Sequence, residues 1–362
     1  MPDIGHKETL LRVSGVLFLA GLICLLAVDP MNAGEYRDVT PESRLSFPGD
    51  YYFRPDYRVQ WWYFTGHLFD KDGHEFGYEL TFFVVGVQKR RYESKFGVNN
   101  IHISHFALTD VAGRRYLSSE KSDSGAYGFA GADDRRLKVW VDRNSIDGSP
   151  DRMHLRASGN PGDLDLVLTP LKPVVLHGDK GYSRKSEESA LDASMYFSVT
   201  DLQTSGTLKM AGKVIDVKGR SWFDREISAG RKGGKEKGWD WFGIQLDDGR
   251  EIMLYLMRNR DGTIDRSSSG TLVQKDGSYR HLRLDDFMIR ASGEYTSART
   301  AARYPARWEI RIPSEGLQLK VTPLLQDQEF IATRTTGNYY WEGSCGVEGT
   351  AKGRAYAELT GY

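Results

Sequence analysis

Short stretches that alternate apolar and polar residues dominate the chain, and no long segment repeats apolar residues at helical spacing. Turn dipeptides close these stretches, since Asp-Gly occurs in "DKDGHE", "LDDGRE", "NRDGTI" and "QKDGSY", each between apolar or aromatic runs. Asp-Gly is favoured in two-residue hairpins because both central residues of a type I′ turn have positive φ. The pattern therefore predicts an all-β protein of successive antiparallel hairpins, as in barrels and sandwiches.

Two of these hairpins share one residue pattern, in which aromatic residues precede a leucine and an Asp-Gly-x-Glu turn. The first hairpin covers residues 61–80, and the second covers residues 239–256. The shared pattern predicts a duplicated unit and therefore two related β domains, with convergence of two aromatic hairpins as the alternative. We place the boundary near residues 190–205 and assign residues 34–198 to the first domain and 199–362 to the second.

The N-terminal segment has a different composition from the rest of the chain. Positive charge in "HKETLLR" precedes an apolar run of 16 residues, 13–28, which Ser14 alone interrupts. This run is short for a membrane span and matches the apolar region of a signal peptide. Residues 1–33 are thus predicted to be a signal peptide or an uncleaved anchor that associates with the membrane through residues 8–28. Either reading predicts a periplasmic or otherwise extracytoplasmic protein.

Charge and cysteine content exclude several classes of function. The 49 basic and 49 acidic residues balance, so net charge gives no reason to expect a nucleic-acid partner. Removal of Cys24 with the signal segment leaves Cys345 as one thiol, so no internal disulfide is expected. Zinc, P-loop and dinucleotide motifs are absent from the sequence, and His102 and His105 would face opposite sides of a strand. We therefore expect no metal and no cofactor, and the oligomeric state stays open.

The stretch "GRSWFDREIS" is the strongest candidate for chemistry. Read as a strand, it places Trp222, Asp224 and Glu226 on one face. Burial beside an indole ring raises the pKa of a carboxyl group, so that the protonated acid can donate near neutral pH. These three residues are the predicted catalytic residues. The alternative is a structural strand whose carboxylates pair with Arg225 or Arg220.

Aromatic residues next to carboxyl groups recur in "WWYF", "GWDWFG" and "NYYWEGS". In the last of these, Tyr340 and Glu342 share one strand face and Trp341 takes the other. Several such clusters together favour a cavity lined by aromatic residues over a hydrophobic core, although each cluster alone is typical of a core. The predicted substrate-binding residues are Trp61, Tyr63, Trp239, Trp241, Trp341, Glu342 and His105.

These stretches resemble the secreted lipocalin-like family that includes AttH-type proteins and the carotenoid 1,2-hydratases. The matching segments are "WWYFTG" (61–66), "SHFALTD" (104–110), "LHGDKGYSRK" (176–185), "SMYFS" (194–198), "GRSWFDRE" (219–226), "GWDWFGIQLDDGRE" (238–251) and the C-terminal "YWEG" to "TGY" (340–362). The resemblance implies two tandem lipocalin-like antiparallel β-barrel domains and a hydrophobic, isoprenoid-like or lipid-like ligand. We add Tyr196 of "SMYFS" to the predicted substrate-binding residues.

The resemblance also implies roles for individual residues. Hydratases of this family add water to an isolated alkene and contain an aromatic-x-Asp-His-Asn stretch, whose Asp corresponds to Asp224. Arg225 stands where the family has His. An upstream His-x-Trp pair of the hydratases falls by spacing on Met195 and Phe197, so part of the hydratase set is replaced here.

Three functions remain open from the sequence. In a hydratase, Asp224 donates a proton, a tertiary cation forms beside tryptophan rings, and a water held by Glu226 or Glu342 adds. In a carrier, the ligand occupies the mouth or lumen of a barrel, and Arg225 keeps Asp224 ionised. A carboxyl-activated water could instead hydrolyse an ester or lactone. The protonation state of Asp224 discriminates the first function from the second.

Overall fold

The computed structural model of the protein describes residues 36–89, 94, 97–231 and 234–362. The predicted signal segment, with residues 8–28 and Cys24, lies outside the described residues. Among the described residues, no helix is long and apolar enough to cross a membrane. Helical structure there consists of short 3₁₀ turns, and strands form the fold, so the predicted all-β class is confirmed.

Strands β1 to β13 form the first antiparallel sheet and strands β14 to β23 form the second. The first sheet contains β1 (Val59–Phe69), β2 (Glu75–Gly86), β3 (Asn100–Asp110), β4 (Arg115–Asp123), β5 (Ala130–Ala132), β6 (Leu137–Val141), β7 (Asn144–Ser149), β8 (Arg152–Gly159), β9 (Gly162–Pro170), β10 (Val175–Leu176), β11 (Tyr182–Arg184), β12 (Ala193–Met210) and β13 (Lys213–Ser228). The second contains β14 (Glu236–Leu246), β15 (Glu251–Asn259), β16 (Ser269–Val273), β17 (Tyr279–Arg283), β18 (Met288–Thr296), β19 (Arg303–Ile312), β20 (Leu317–Pro323), β21 (Glu329–Ala332), β22 (Asn338–Gly349) and β23 (Gly353–Thr360). Short 3₁₀ turns occur at Gly49–Tyr51, Ala126–Gly128, Leu284–Asp286 and Pro313–Glu315.

The two sheets share one topology. In the first, the order β4-β3-β2-β1 continues through β13 and β12 to β9 and β8; in the second, β17-β16-β15-β14 continues through β23 and β22 to β20 and β19. Each sheet therefore begins with a meander of four strands, and its first strand then pairs with its last. The two hairpins that share a sequence pattern, β1–β2 and β14–β15, occupy equivalent places, which supports the duplication. Each sheet curls into a barrel-like domain.

The break between the sheets does not coincide with the predicted domain boundary. It lies between Ser228 and Glu236, whereas the predicted boundary at residues 198 and 199 falls inside β12. The physical reason is the pairing of β1 with β13, because the first sheet needs its last strand to complete the duplicated unit. The second unit is completed in the same way by the pairing of β14 with β23.

Strand alternation divides the aromatic residues of β1 between two environments. Trp62, Phe64 and Leu68 point into the first barrel and are fully buried in its apolar core. Trp61 and Tyr63 point out of the barrel, towards the second sheet. Apolar side chains fill the interiors of both barrels, so the lumen, one of the two ligand positions that the carrier hypothesis expected, does not match this packing.

The outer faces of the two sheets pack against each other. One apolar cluster at this interface combines residues of both sheets, namely Tyr63, Tyr196, Trp222, Trp241, Met253, Tyr255, Met257 and Tyr356. Ion pairs flank it, since Glu75 of β2 pairs with Arg354 of β23 at 2.7 Å, and Glu251 of β15 pairs with Lys172 at 2.7 Å. Glu75 and Glu251 are the glutamates of the two Asp-Gly-x-Glu turns, so the duplicated turn makes a cross-sheet ion pair in both units.

We expect Lys172→Ala to destabilise the protein by about 3–5 kcal/mol, because it leaves Glu251 buried without its cation. The side chains of this pair are 7% and 1% exposed, so solvent cannot replace the lost partner. Urea denaturation of residues 36–362 measures the free energy of unfolding. The control, Lys213→Ala at the exposed first residue of β13, should change it by no more than about 0.5 kcal/mol. If both variants lost the same free energy of unfolding, the ion pair would not stabilise the interface.

Candidate functional site

A cavity of about 200 Å³ lies between the outer faces of the two sheets and is called here the interface cavity. Its walls are rich in aromatic residues, and several carboxyl groups are among its polar groups. The first sheet and its loops contribute Trp61, Tyr63, His105, Lys185, Tyr196, Asp224 and Glu226. The second sheet contributes Trp239, Trp241, Tyr255, Tyr340, Glu342 and Glu358.

Strand register explains why these side chains meet. In an antiparallel sheet, residues directly opposite each other project from the same face. Across the first sheet, Thr81, Tyr63, Asp224 and Ser198 are opposite one another in successive strands, from β2 through β1 and β13 to β12. Across the second sheet, the row is Tyr255, Trp241, Glu358 and Glu342.

Asp224 is a buried acid that accepts hydrogen bonds from neutral groups. Tyr196 Oη donates to Oδ2 at 2.7 Å, while Trp222 Nε1 donates to Oδ1 at 2.6 Å and the Ser198 hydroxyl donates to the same oxygen. Among the described residues, no basic side chain forms an ion pair with it. Burial raises the pKa of Asp224 to about 7, although the three hydrogen bonds oppose this rise. A carboxyl group in this state can donate a proton near neutral pH.

The arginines that could have neutralised Asp224 lie elsewhere. Arg225 points into the first barrel, where it donates to backbone carbonyls and lies 3.8 Å from the ring of Trp62. Arg220 pairs with Asp201. The alternative in which Asp224 pairs with Arg225 or Arg220 is therefore wrong, because alternation turns Arg225 to the opposite face of β13.

Glu226 has different surroundings from Asp224. Lys185 Nζ lies 2.8 Å from Glu226 Oε1, and the Ser194 hydroxyl donates to the same oxygen. The ammonium group of Lys185 also lies 4.9 Å and 4.8 Å from the ring centres of Tyr196 and Tyr255. Burial opposes the charge of Lys185, but Glu226 and Tyr255 outweigh it, so the pKa of Lys185 is raised. The cavity thus holds the Lys185–Glu226 ion pair beside carboxyl groups that have no cationic partner among the described residues.

Glu342 and Glu358 of the cavity, and the neighbouring Glu79, form a second group of buried carboxyls. Burial is the largest cause that raises the pKa of Glu79, Glu342 and Glu358, and their mutual repulsion adds to it. The Tyr63 hydroxyl donates to Glu342, and the Thr81 hydroxyl donates to Glu79. Like charges this close favour protonation of some of the group.

Comparison with known proteins places the chain in a family. A family model described as AttH-like matches residues 38–362. The chain belongs to the AttH-like family. A crystal structure of an AttH protein from Nitrosomonas europaea is 32% identical in sequence with a TM-score of 0.82, and the match covers 90% of this chain and 99% of that chain. The predicted family and its two-barrel fold are confirmed.

More distant structures share the fold. Kievitone hydratase from Nectria haematococca is 13% identical with a TM-score of 0.67, and the match covers 90% of this chain and 96% of that chain. CghA, solved with Sch210972, is 12% identical with a TM-score of 0.51, and the match covers 90% of this chain and 95% of that chain. At these identities the likeness concerns the fold. A search of curated proteins finds no match to this AttH-like protein.

The interface cavity brings most of the predicted site residues of this AttH-like protein together. It is lined by Trp61, Tyr63, His105, Tyr196, Asp224, Glu226, Trp239, Trp241 and Glu342. Trp222 lies beside them, because its N–H binds Asp224 and its ring packs edge-on against Trp241 at 6.0 Å. Trp341 does not belong to this set, since it is buried in the core of the second barrel and donates to the Gln326 carbonyl at 2.7 Å.

Two residues of the predicted alignment lie outside the site. Met195 and Phe197, onto which the His-x-Trp pair of the hydratases fell by spacing, are buried in apolar clusters away from the cavity. The cavity face of β12 presents their alternate neighbours, and Tyr196 and Ser198 contact Asp224. A shift of one residue on a strand exchanges its two faces, so Met195 and Phe197 point away from the face of β12 that lines the cavity.

Several polar residues of the site were missed from the sequence. His177 Nε2 lies 2.6 Å from Ser198 Oγ, and its Nδ1 lies 2.8 Å from Thr271 Oγ1, so this buried imidazole orders the serine that binds Asp224. His177 and Lys185 both occur in "LHGDKGYSRK", so the resemblance contained a signal for them. Their roles depend on where the loops around β10 and β11 lie against β12, which strand periodicity does not reveal.

The histidines and the acidic turn offer no metal centre at the cavity. His105 contacts the Tyr340 hydroxyl at 2.8 Å, and burial lowers its pKa to about 3, so it acts as a neutral hydrogen-bonding residue. In the described ranges, Asp70, Asp72 and His74 form the one group with metal-ligand spacing, in the β1–β2 turn. Asp70 there accepts from the backbone N–H groups of Asp72 and His74, as a turn-capping residue does.

The state of Asp224 predicts a pH dependence of stability. Its pKa is higher in the folded than in the unfolded chain, so its contribution is complete below about pH 4 and is lost as pH rises through about 7. The full loss is roughly 4 kcal/mol, from about three units at 1.36 kcal/mol each. We expect Asp224→Asn to remove this component, so that the variant gains stability relative to the unsubstituted protein between pH 5 and pH 8.

Urea denaturation at a series of pH values measures this difference, with Asp216→Asn as the control. Asp216 lies on the same strand but is exposed, so its substitution should shift the whole stability profile by no more than about 0.5 kcal/mol. Parallel profiles for Asp224→Asn and the unsubstituted protein would contradict the raised pKa.

Proposed function

We propose that this AttH-like protein is a hydratase that adds water to an isolated alkene of a hydrophobic, isoprenoid-like or lipid-like molecule, with Asp224 as general acid. The observation that carries the proposal is the buried, cation-free carboxyl of Asp224 in the aromatic wall of the interface cavity. The fold that it shares with a protein named kievitone hydratase supports the same class of reaction.

The reaction begins with proton transfer from Asp224 to the less substituted alkene carbon. The positive charge that forms on the more substituted carbon is stabilised by the faces of Trp239 and Trp241, since aromatic faces attract cations. Water then forms a bond to this carbon and loses a proton to a carboxylate. Burial of Asp224 serves the first step, because an acid with a pKa of about 7 has a large protonated fraction at neutral pH.

The neighbours of Asp224 favour one of its oxygens as the proton carrier. Oδ1 accepts from Trp222 and Ser198, and the indole N–H of Trp222 cannot be turned away. Oδ2 accepts from the hydroxyl of Tyr196 alone, and a hydroxyl can rotate to accept instead. Trp241 donates to this hydroxyl at 3.0 Å and holds it in place. The acidic proton therefore belongs on Oδ2.

The size and lining of the cavity also indicate what kind of ligand it can bind. Its volume of about 200 Å³ suits the reacting end of an apolar molecule, with aromatic rings on several sides. The Lys185–Glu226 ion pair forms a polar part of the lining, where a hydroxyl or carbonyl group of the ligand can bind. We thus expect a molecule with an apolar alkene end and a polar group some distance from it.

Product analysis in oxygen-18 water tests this function. Residues 36–362 are incubated with citronellol, which has one isolated trisubstituted alkene, and separately with an isoprenoid and lipid extract. We expect a product that has gained one labelled water intact. Two fragments with one label would identify a hydrolase instead. A bound and unlabelled ligand would identify a carrier, and either result would reject hydration.

Asp224→Asn should abolish hydration while ligand binding changes little, because the amide has the same shape but no acidic proton. A loss of at least about a hundredfold in turnover is expected for a missing general acid. Turnover is followed by mass spectrometry, and binding is followed by tryptophan fluorescence. The exposed Asp216→Asn variant on the same strand should retain full turnover. Full turnover in Asp224→Asn would reject Asp224 as the acid.

We also propose that the protein acts outside the cytoplasm, on the ground of the apolar segment at residues 13–28. In a Gram-negative host, the full-length chain should then fractionate with the periplasm or the inner membrane, and a chain that lacks residues 1–33 should stay in the cytoplasm. The N-terminal mass of the exported protein distinguishes cleavage from anchoring. Cytoplasmic full-length protein would reject the proposal.

A further inference from the structure

The duplication places a second carboxyl group at the position that corresponds to Asp224. In the first sheet, Asp224 on the last strand is opposite Tyr63 on the first strand. In the second sheet, Glu358 on the last strand is opposite Trp241 on the first strand. Tyr63 and Trp241 are themselves equivalent in the two aromatic hairpins, so Asp224 and Glu358 occupy matching sites whose side chains face one cavity.

Glu358 also has a carboxyl neighbour on its own sheet. It lies directly opposite Glu342 in the pairing of β22 with β23, and both side chains line the interface cavity. Opposite residues of an antiparallel pair have Cβ atoms about 5 Å apart. Two carboxylates at this distance in a buried site repel each other strongly, so the pair holds one proton between them, as other carboxyl dyads do.

The two members of the pair have different environments. Glu342 is buried, 2% exposed, and accepts a hydrogen bond from the Tyr63 hydroxyl. Glu358 is partly exposed and is hydrogen-bonded by Trp239. Glu79 lies close enough to repel both groups, and its Oε2 has no protein partner among the described residues. A molecule in the cavity can therefore reach Glu358 more easily than Glu342.

Aromatic residues connect this pair to Asp224. Trp241 lies opposite Glu358 on the paired strand. Its indole N–H donates to the Tyr196 hydroxyl at 3.0 Å, and that hydroxyl donates to Asp224. Tyr63 lies opposite Asp224 on the paired strand, and its hydroxyl donates to Glu342. Each sheet thus contacts the carboxyl site of the other, and the two acidic sites share one wall of the cavity.

We propose that Glu358, paired with Glu342, is the catalytic base of this site and takes the proton from the water that adds to the alkene. This inference rests on the proposed hydratase function. The O–H bond of Asp224 breaks as the new C–H bond forms, and the water oxygen bonds to the cationic carbon. An O–H bond of that water then breaks, and its proton passes to Glu358. Transfer of one proton from the pair to Asp224 through solvent restores the starting state.

The division of roles predicts separate labels in the product. With citronellol in deuterated, oxygen-18-enriched water, the unsubstituted protein should give an alcohol that contains both deuterium and oxygen-18. Glu358→Gln should lose at least about a hundredfold in oxygen-18 incorporation, as expected for a missing general base. It should still place deuterium in recovered alkene, because Asp224 can protonate the alkene and take a proton back. Asp224→Asn should lose both labels.

Control variants distinguish failure of the base role from failure of the hydratase function. Glu348→Gln makes the same change at the exposed end of β22 and should keep both labels at the level of the unsubstituted protein. Glu358→Asp retains a carboxyl group and should restore measurable oxygen-18 incorporation. Full oxygen-18 incorporation by Glu358→Gln overturns the base role alone, and so does loss of both labels in that variant. An unsubstituted protein that introduces neither label overturns the hydratase function and the base role with it.

Discussion

The packing of two outer sheet faces against each other is the constraint on which the rest of this structure depends. Each barrel fills its own interior with apolar side chains, so the space for chemistry arises where the barrels meet. This contact removes water from Asp224, Glu342 and Glu358, none of which pairs with a described cation. Desolvation without charge compensation raises the pKa values of these carboxyl groups, so that they can give or take a proton near neutral pH.

Duplication explains how such a site can be built from ordinary hairpins. The same aromatic strand occurs once in each sheet, and each copy turns its outward face to the interface. The copies have diverged in their side chains, since Tyr63 corresponds to Trp241 and Asp224 corresponds to Glu358. A symmetric arrangement of this kind supplies acidic groups from two sides of one cavity. The proposed addition of water would use such an arrangement, because one group gives a proton while another removes one.

The acidic residues of the cavity differ in the groups that bind them. Glu226 is neutralised by Lys185, whereas Asp224 is bound by neutral donors only among the described residues. The neutral His177 fixes Ser198 behind Asp224, and Tyr196 links Asp224 to Trp241. Glu226 and Asp224 can therefore have different charges in one cavity, although both are carboxyl groups on one strand face. Cross-sheet ion pairs from Glu75 and Glu251 keep the two faces in contact around them.

The sequence by itself determined the all-β class, the duplicated hairpin, the family and the shared face of Trp222, Asp224 and Glu226. The family follows from the resemblance of short motifs, and the other features depend on local periodicity and turn chemistry, which neighbouring residues express directly. Tertiary structure alone decided that Trp341 is a core residue, that Arg225 leaves Asp224 unpaired, and that β13 belongs to the first sheet. It also brought Lys185 and Glu358 to the cavity from distant strands and loops. Pairing between strands far apart in the chain sets these contacts, and no short stretch of sequence encodes such pairing.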